Sequence, residues 1–159
     1  MEQLDQIFST QIGAGVILLR LTLACLLGAV LGLDRELRDR PAGLRTFIMV
    51  SLAACLFTMI SIELSLALEG GAEQTSIRPD PLRIIQAITA GVAFLAAGSI
   101  IRHGKRLEGL TTGAGMWLAG AIGLACGAGF EAIAALVTVM ALIILVGLKK
   151  LESGLDREK

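Results

Sequence analysis

In the stretch DRELRDR, Asp34 to Arg40, three acids and three arginines alternate within seven residues. Carboxylates at this density suit a hydrated Mg2+, which binds through one or two of them and keeps several waters. Asp34, Glu36 and Asp39 are the candidate ligands, and Glu63 is a further one down the chain. Arg35, Arg38, Arg40 and Arg45 compete for those carboxylates, and they suit anionic lipid headgroups or a phosphate-bearing partner better than a metal. The pairs Asp34 with Arg38 and Glu36 with Arg40 have i,i+4 spacing with the acid first, the favourable order on a helix. The same residues therefore also read as the solvated end of a helix running about two turns past a membrane. Pro41 and Gly43 then break that helix.

Further polar residues lie inside apolar runs. Arg20 sits eight residues into the first run, about 12 Å deep at 1.5 Å per residue, and an intramembrane charge needs a partner or a route to water. Glu63 and Gln86 are the nearest candidates by depth, and an Arg20 to Glu63 pair is expected, with Arg20 snorkelling outward. Asp80 is placed to cap a helix whose first position is Pro81. Thr111 and Thr112 open a later helix, where a cap is a simpler role than a ligand site. Trp117, in mid-helix, is expected in the core. His103 stands alone between Arg102 and Lys105, with no second His or Cys nearby in sequence to share a metal. Cys25, Cys55 and Cys126 show no CxxC spacing and read as small buried apolar residues.

No P-loop, GxSxG, HExxH or DxDxDG pattern is present, so a non-enzyme is expected. Zero net charge and the absence of basic-aromatic interleaving argue against nucleic acid.

The elements that must position these residues follow from composition. A chain that is 55% hydrophobic and 18% charged, with mean hydropathy +0.77, is a membrane protein by composition rather than a soluble domain. Five apolar stretches are candidates for crossing a hydrocarbon core: residues 12–33, 44–68, 82–101, 110–127 and 132–148. The fourth, only 18 residues long, is the richest in glycine, and a full span is expected there. The expected fold is an all-α bundle of five transmembrane helices in a single domain, followed by a short cytoplasmic tail, 149–159. Lys and Arg set the orientation, because cytoplasmic loops carry the excess. Arg35, Arg38, Arg40 and Arg45, then Arg102, Lys105 and Arg106, then Lys149, Lys150, Arg157 and Lys159 all fall on one side. The N-terminus, with Glu2 and Asp5 and no cation before Arg20, is then outside and the C-terminus inside. GGAEQTS, before Arg78, reads as an exposed turn. The N-terminal residues lack the positive region of a signal peptide, so the first run is expected to be retained.

Gly28 with Gly32 and Gly123 with Gly127 have the GxxxG spacing that lets helices approach closely, and Gly91 and Gly98 extend the small-residue pattern. Packing within the chain is expected, with a homodimer as the second reading.

The ordered set of Arg20, GAVLGLDRE, RPAGLRT, DPLRIIQAITAGVAFLAAGSI and GLTTGAGMWLAGAIGLACG, followed by a final apolar helix, closely resembles the MgtC/SapB family of bacterial inner-membrane proteins. The resemblance runs from about Val16 to Leu148. It draws attention to Arg35, Arg45 and Thr46 within the charged block. It departs from the family pattern at Ala93 to Gly98, where GFLGAG is usual, and at Phe47, where His is frequent. Longer members carry a soluble C-terminal domain with no counterpart in these residues. The resemblance implies a multi-pass protein of the bacterial inner membrane, linked to growth in low magnesium and, in pathogens, to survival inside macrophages. It also implies regulation of other membrane proteins, such as ATP synthase or a transporter.

Two functions are therefore expected in competition. In the first, the charged segment Asp34 to Arg45 and the loop carrying Arg102, Lys105 and Arg106 contact another membrane protein or anionic lipid. In the second, glycine-packed helices with Glu63, Gln86, Asp34 and Glu36 line a path for Mg2+ or another cation, although none of these carboxylates lies near the bilayer centre, where transporter ion sites sit. No cofactor is expected apart from Mg2+ itself.

Overall fold

A computed structural model describes residues 10–38, 40–70, 80–104 and 106–155. Glu2 and Asp5, Asp39, the GAEQTS turn with Arg78, Lys105, Arg157 and Lys159 lie outside the described residues. Five helices follow in order: α1 (Ala14–Glu36), α2 (Leu44–Gly70), α3 (Pro81–Gly98), α4 (Leu110–Ala128) and α5 (Glu131–Leu155). A two-stranded hairpin, β1 (Ile101–His103) and β2 (Arg106–Glu108), joins α3 to α4.

Long apolar runs become helices because a helix satisfies its backbone hydrogen bonds internally, which lipid cannot do for it. Among the described residues, α1, α2 and α4 contain segments long and apolar enough to cross a membrane, while Leu82–Gly98 and Glu131–Gly147 are shorter apolar helices. The third run ends earlier than its composition suggests. Ser99 caps α3, with its Oγ donating to Ala96 O at 2.7 Å, and Ile101 passes into the hairpin instead of extending the helix. The hairpin turns at Gly104, whose φ of +60° suits glycine, the residue that takes left-handed backbone without steric cost.

α2 is the packing centre, with its most extensive contacts on α1 and α4. The glycines explain why. A Cβ at Gly28 would lie 2.9 Å from Phe47 O, and one at Gly32 would lie 2.8 Å from Leu44 Cα. On the other side, a Cβ at Gly127 would lie 2.5 Å from Cys55 O, and one at Gly123 would overlap Ser51 O. Both GxxxG pairs are thus occupied by α2 of the same chain. Gly120 does the same for α3, where a Cβ would meet Val92 Cγ2 at 2.9 Å. Gly91 and Gly98 do not share this role: nothing lies within 4 Å of a Cβ at either. α3 turns Ile88, Val92 and Ala96 inward, leaving Gly91 on an apolar groove between α2 and α3.

Polarity is inverted relative to a water-soluble bundle. Ser51, Thr58, Ser61, Thr112 and Thr138 are buried, whereas Leu18, Leu19, Leu26, Phe57, Phe94, Leu136 and Ile143 face outward. Thr58 and Thr138 satisfy their hydroxyls on the carbonyls one turn back, Ala54 O at 2.7 Å and Ala134 O at 2.8 Å. Trp117 belongs to the outward set and not to the core. The buried face of α4 is built from Gly113, Met116, Ala119, Gly120, Gly123 and Gly127, which admits neighbouring backbones and leaves the bulky indole on the far side.

Candidate functional site

Two arginines of α1, fifteen residues apart, each reach a backbone carbonyl of α4. At 1.5 Å per residue they are about 22 Å apart along the helix, and their acceptors, Thr111 and Gly127, are about 24 Å apart. The two sites mark opposite ends of the bundle.

Arg20 donates through Nη1 to Gly127 O at 3.1 Å and through Nε to Glu131 Oε1 at 3.2 Å. The expected Arg20 to Glu63 pair does not form. Glu63 instead accepts the backbone N–H groups of Gln11 at 2.9 Å and Ile12 at 2.6 Å, tying the approach to α1 onto the end of α2. Depth along each apolar run locates a partner only where all helix ends are level, and here they are not. α4 is only 19 residues long, so the α4–α5 turn stops level with Arg20 and brings Glu131 to it. Gly129, at φ +86°, closes that turn, and a Cβ there would collide with the Arg20 guanidinium. Glu131 is a partner that reading the GAGFE turn for cations alone overlooks; an acid at a helix start, level with a membrane arginine, was the available signal.

At the hairpin end, α1 stops at Glu36, with Leu37 as its C-cap, so it does not continue through Arg40 as the i,i+4 pattern suggests. Of the two expected pairs, Asp34 with Arg38 forms, at 2.6 Å. Glu36 leaves Arg40 and accepts the Leu44 N–H at 2.9 Å, satisfying a donor that the start of α2 cannot satisfy within itself. Gly43 makes room for that carboxylate, since a Cβ there would overlap Glu36 Oε2.

Arg35 is the exceptional residue here. It is 4% exposed, and Nη2 donates to Thr111 O at 3.1 Å. Its Nε is buried without a hydrogen-bond partner, and among the described residues it has no carboxylate within salt-bridge distance. Space for it comes from Gly115, where a Cβ would come within 3.0 Å of Phe47 Cζ and 3.5 Å of Arg35 Nη2. Phe47 itself is 1% exposed and fills the junction of α1, α2 and α4.

A cavity of ≈ 800 Å³ opens beside it. Its wall carries Asp34 and Arg35 from the last turn of α1, Arg38 and Arg40 from the α1–α2 connection, Glu108 from β2, Thr111 and Thr112 from α4, and Ile144 and Leu145 from α5. The first N–H groups of α4 have no partner within their own helix, so its N-terminus presents partial positive charge at the same wall.

The remaining sequence candidates are elsewhere. Arg45 and Thr46 are exposed on α2 and are not part of the cavity wall. Asp80 caps α3 as expected, accepting Leu82 N–H at 3.0 Å with Pro81 behind it. Gln86 is exposed on α3. Thr111 and Thr112 do not cap α4: Gly109, at φ +88°, holds that position without a side-chain bond. The carboxylates proposed for a metal are not brought together. Asp34 holds Arg38, Glu36 holds Leu44 N–H, and Glu63 is at the opposite end, and no cluster of three metal-ligating side chains occurs among the described residues.

Comparison with known proteins finds several curated relatives. The chain is 42% identical to Protein SapB of Bacillus subtilis over 127 residues, covering 78% of this chain and 53% of SapB. It is 35% identical to Protein MgtC of Brucella abortus over 133 residues, covering 84% of this chain and 51% of MgtC. It is 33% identical over 131 residues to an Escherichia coli protein named "Putative magnesium transporter YhiD", covering 80% of this chain and 58% of that one. The chain therefore spans about half the length of these curated relatives. No solved structure matches it. The MgtC family matches residues 21–154, nearly the whole helical bundle, and the chain belongs to that family.

Proposed function

We propose that this is a non-enzymatic, five-span protein of the bacterial inner membrane, N-terminus outside, which serves magnesium homeostasis by regulating another membrane protein through its cytoplasmic hairpin end. The observation that carries this reading is the arginine-walled cavity beside the α1–α2 turn, with Arg35 buried and without a carboxylate partner among the described residues. A face of this kind is suited to contact rather than to passage. The partner would be a membrane complex, such as ATP synthase or a transporter, presenting acidic or phosphate groups.

Transport of Mg2+ is the second reading, favoured by the name of the Escherichia coli relative. Against it stand the engagements of Asp34, Glu36, Glu63 and Glu131, each already held by an arginine or by backbone N–H groups. The buried polar side chains at mid-bundle are hydroxyls, whereas transporter ion sites near the midplane use carboxylates or unwound backbone.

Protein reconstituted in liposomes is expected to pass no more Mg2+ than empty vesicles do. Flux that is lost in a folded Glu63→Gln variant would replace the regulatory reading with transport. Orientation is tested by single cysteines at Leu107 and Phe130, both exposed, in a cysteine-free background. Impermeant reagent added outside is expected to label Phe130→Cys, and labelling of Leu107→Cys instead would invert the topology.

A further inference from the structure

The cavity at the hairpin end holds a charge imbalance among the described residues. Arg35 is a permanent cation about nine-tenths or more removed from water, bonded to one neutral carbonyl, with Nε unpartnered. A buried charge in that state is costly unless something supplies a counter-charge. The two acids on the wall do not do so. Asp34 directs its oxygen to Arg38 at 2.6 Å, and Glu108 is exposed at the end of the hairpin. Arg40 adds a second cation, exposed and without a carboxylate partner among the described residues. The α4 N-terminus, with Thr111 and Thr112, forms part of the same wall.

We propose that this cavity binds a phosphate group, with Arg35 as its buried anchor and Arg40 closing on it from the solvent side. Guanidinium forks match phosphate oxygens in pairs, and a helix N-terminus adds N–H donors aimed at the same anion. At ≈ 800 Å³ the cavity is larger than phosphate alone requires, and Ile144 and Leu145 make one wall apolar. A phosphate carrying an apolar extension, as in a phospholipid headgroup and its glycerol, therefore fits as well as the free ion. The inference deepens the regulatory reading and rests on it for the side of the membrane concerned; direct binding to purified protein keeps the failure of one distinct from the failure of the other.

The test uses the full chain in a neutral detergent, with binding read by native mass spectrometry and by the shift in thermal midpoint. Two probes are titrated separately: inorganic phosphate and dioctanoyl phosphatidylglycerol, with dioctanoyl phosphatidylcholine as the zwitterionic comparison. Saturable binding that Arg40→Gln weakens roughly tenfold, one full step in affinity of about 1.4 kcal/mol, is expected for at least one anionic probe. Arg83→Gln, the same loss of charge at the far end of the bundle, is expected to leave it unchanged. Binding of inorganic phosphate would assign the source to a soluble phosphate, and binding of phosphatidylglycerol alone would assign it to lipid. Absence of saturable binding by both, or equal weakening by Arg40→Gln and Arg83→Gln, overturns the proposal. Arg40 is exposed, so its variant keeps the test sound if Arg35→Gln fails to fold.

Discussion

Arg20 and Arg35 are carried by the same helix and both donate to carbonyls of α4, yet their surroundings differ. Arg20 is partly exposed and has Glu131 as a counter-charge, so its own charge is balanced within the chain. Arg35 is more deeply buried and, among the described residues, its one hydrogen-bond acceptor is Thr111 O. One arginine fastens helices together; the other holds a charge that no carboxylate among the described residues pairs with. Intramembrane and buried charges are functional candidates by default, and the comparison shows how to rank two of them. The one with a complete set of partners is explained by architecture, and the one without is where an external group is to be sought.

Substitutions beside the two arginines break this contrast most strongly. Gly129→Ala is expected to cost about 2 kcal/mol, because alanine must take a positive φ and its Cβ displaces the Arg20 guanidinium; loss of thermal stability in detergent reads it. Gly115→Ala, the counterpart at Arg35, presses only on the tip of Phe47 at 3.0 Å and is expected to cost under half as much.

The arginines themselves come next. Arg20→Met removes a partly buried pair and leaves Glu131 beside the membrane with no cation, a loss of about 1 to 2 kcal/mol. A double-mutant cycle of Arg20→Met with Glu131→Gln should return a coupling of at least about 0.5 kcal/mol, and strict additivity would remove the pair from the account. The smallest effect is expected from Asp34→Asn. Its bond to Arg38 is an i,i+4 pair at a helix end, worth a few tenths of a kcal/mol, measurable as a slight fall in the thermal midpoint.

Much of the scaffold is legible in the sequence, for physical reasons that can be named. Helix positions follow from apolar runs, the α1–α2 break from Pro41 and Gly43, the α3 start from Asp80 and Pro81, and close packing of α1 and α4 from two GxxxG pairs. What escapes depends on the relative heights and rotations of helices, which no single run encodes. Run lengths do not give the partner of Arg20 because α4 ends short, nor the outward side of Trp117 because mostly small residues define the inner face of α4, nor the place of Gly91 because α3 rotates it onto a groove. The i,i+4 pairing of Glu36 with Arg40 does not form because the unsatisfied N–H of Leu44 has the better claim on the carboxylate. Within the charged block, chemistry alone favoured an anion-facing surface over a metal cage. The geometry adds that Arg35, indistinguishable by type from its neighbours, is the one buried.

The most direct measurement is the thermal midpoint of Arg35→Met set beside that of Arg20→Met, in the same detergent and without added anion. A buried cation without a counter-charge is replaced by an apolar side chain of similar length at little cost or with a gain. The account predicts a midpoint for Arg35→Met equal to or above that of the unsubstituted protein, while Arg20→Met falls below it. A fall for Arg35→Met as large as that for Arg20→Met would contradict it, and would make both arginines structural.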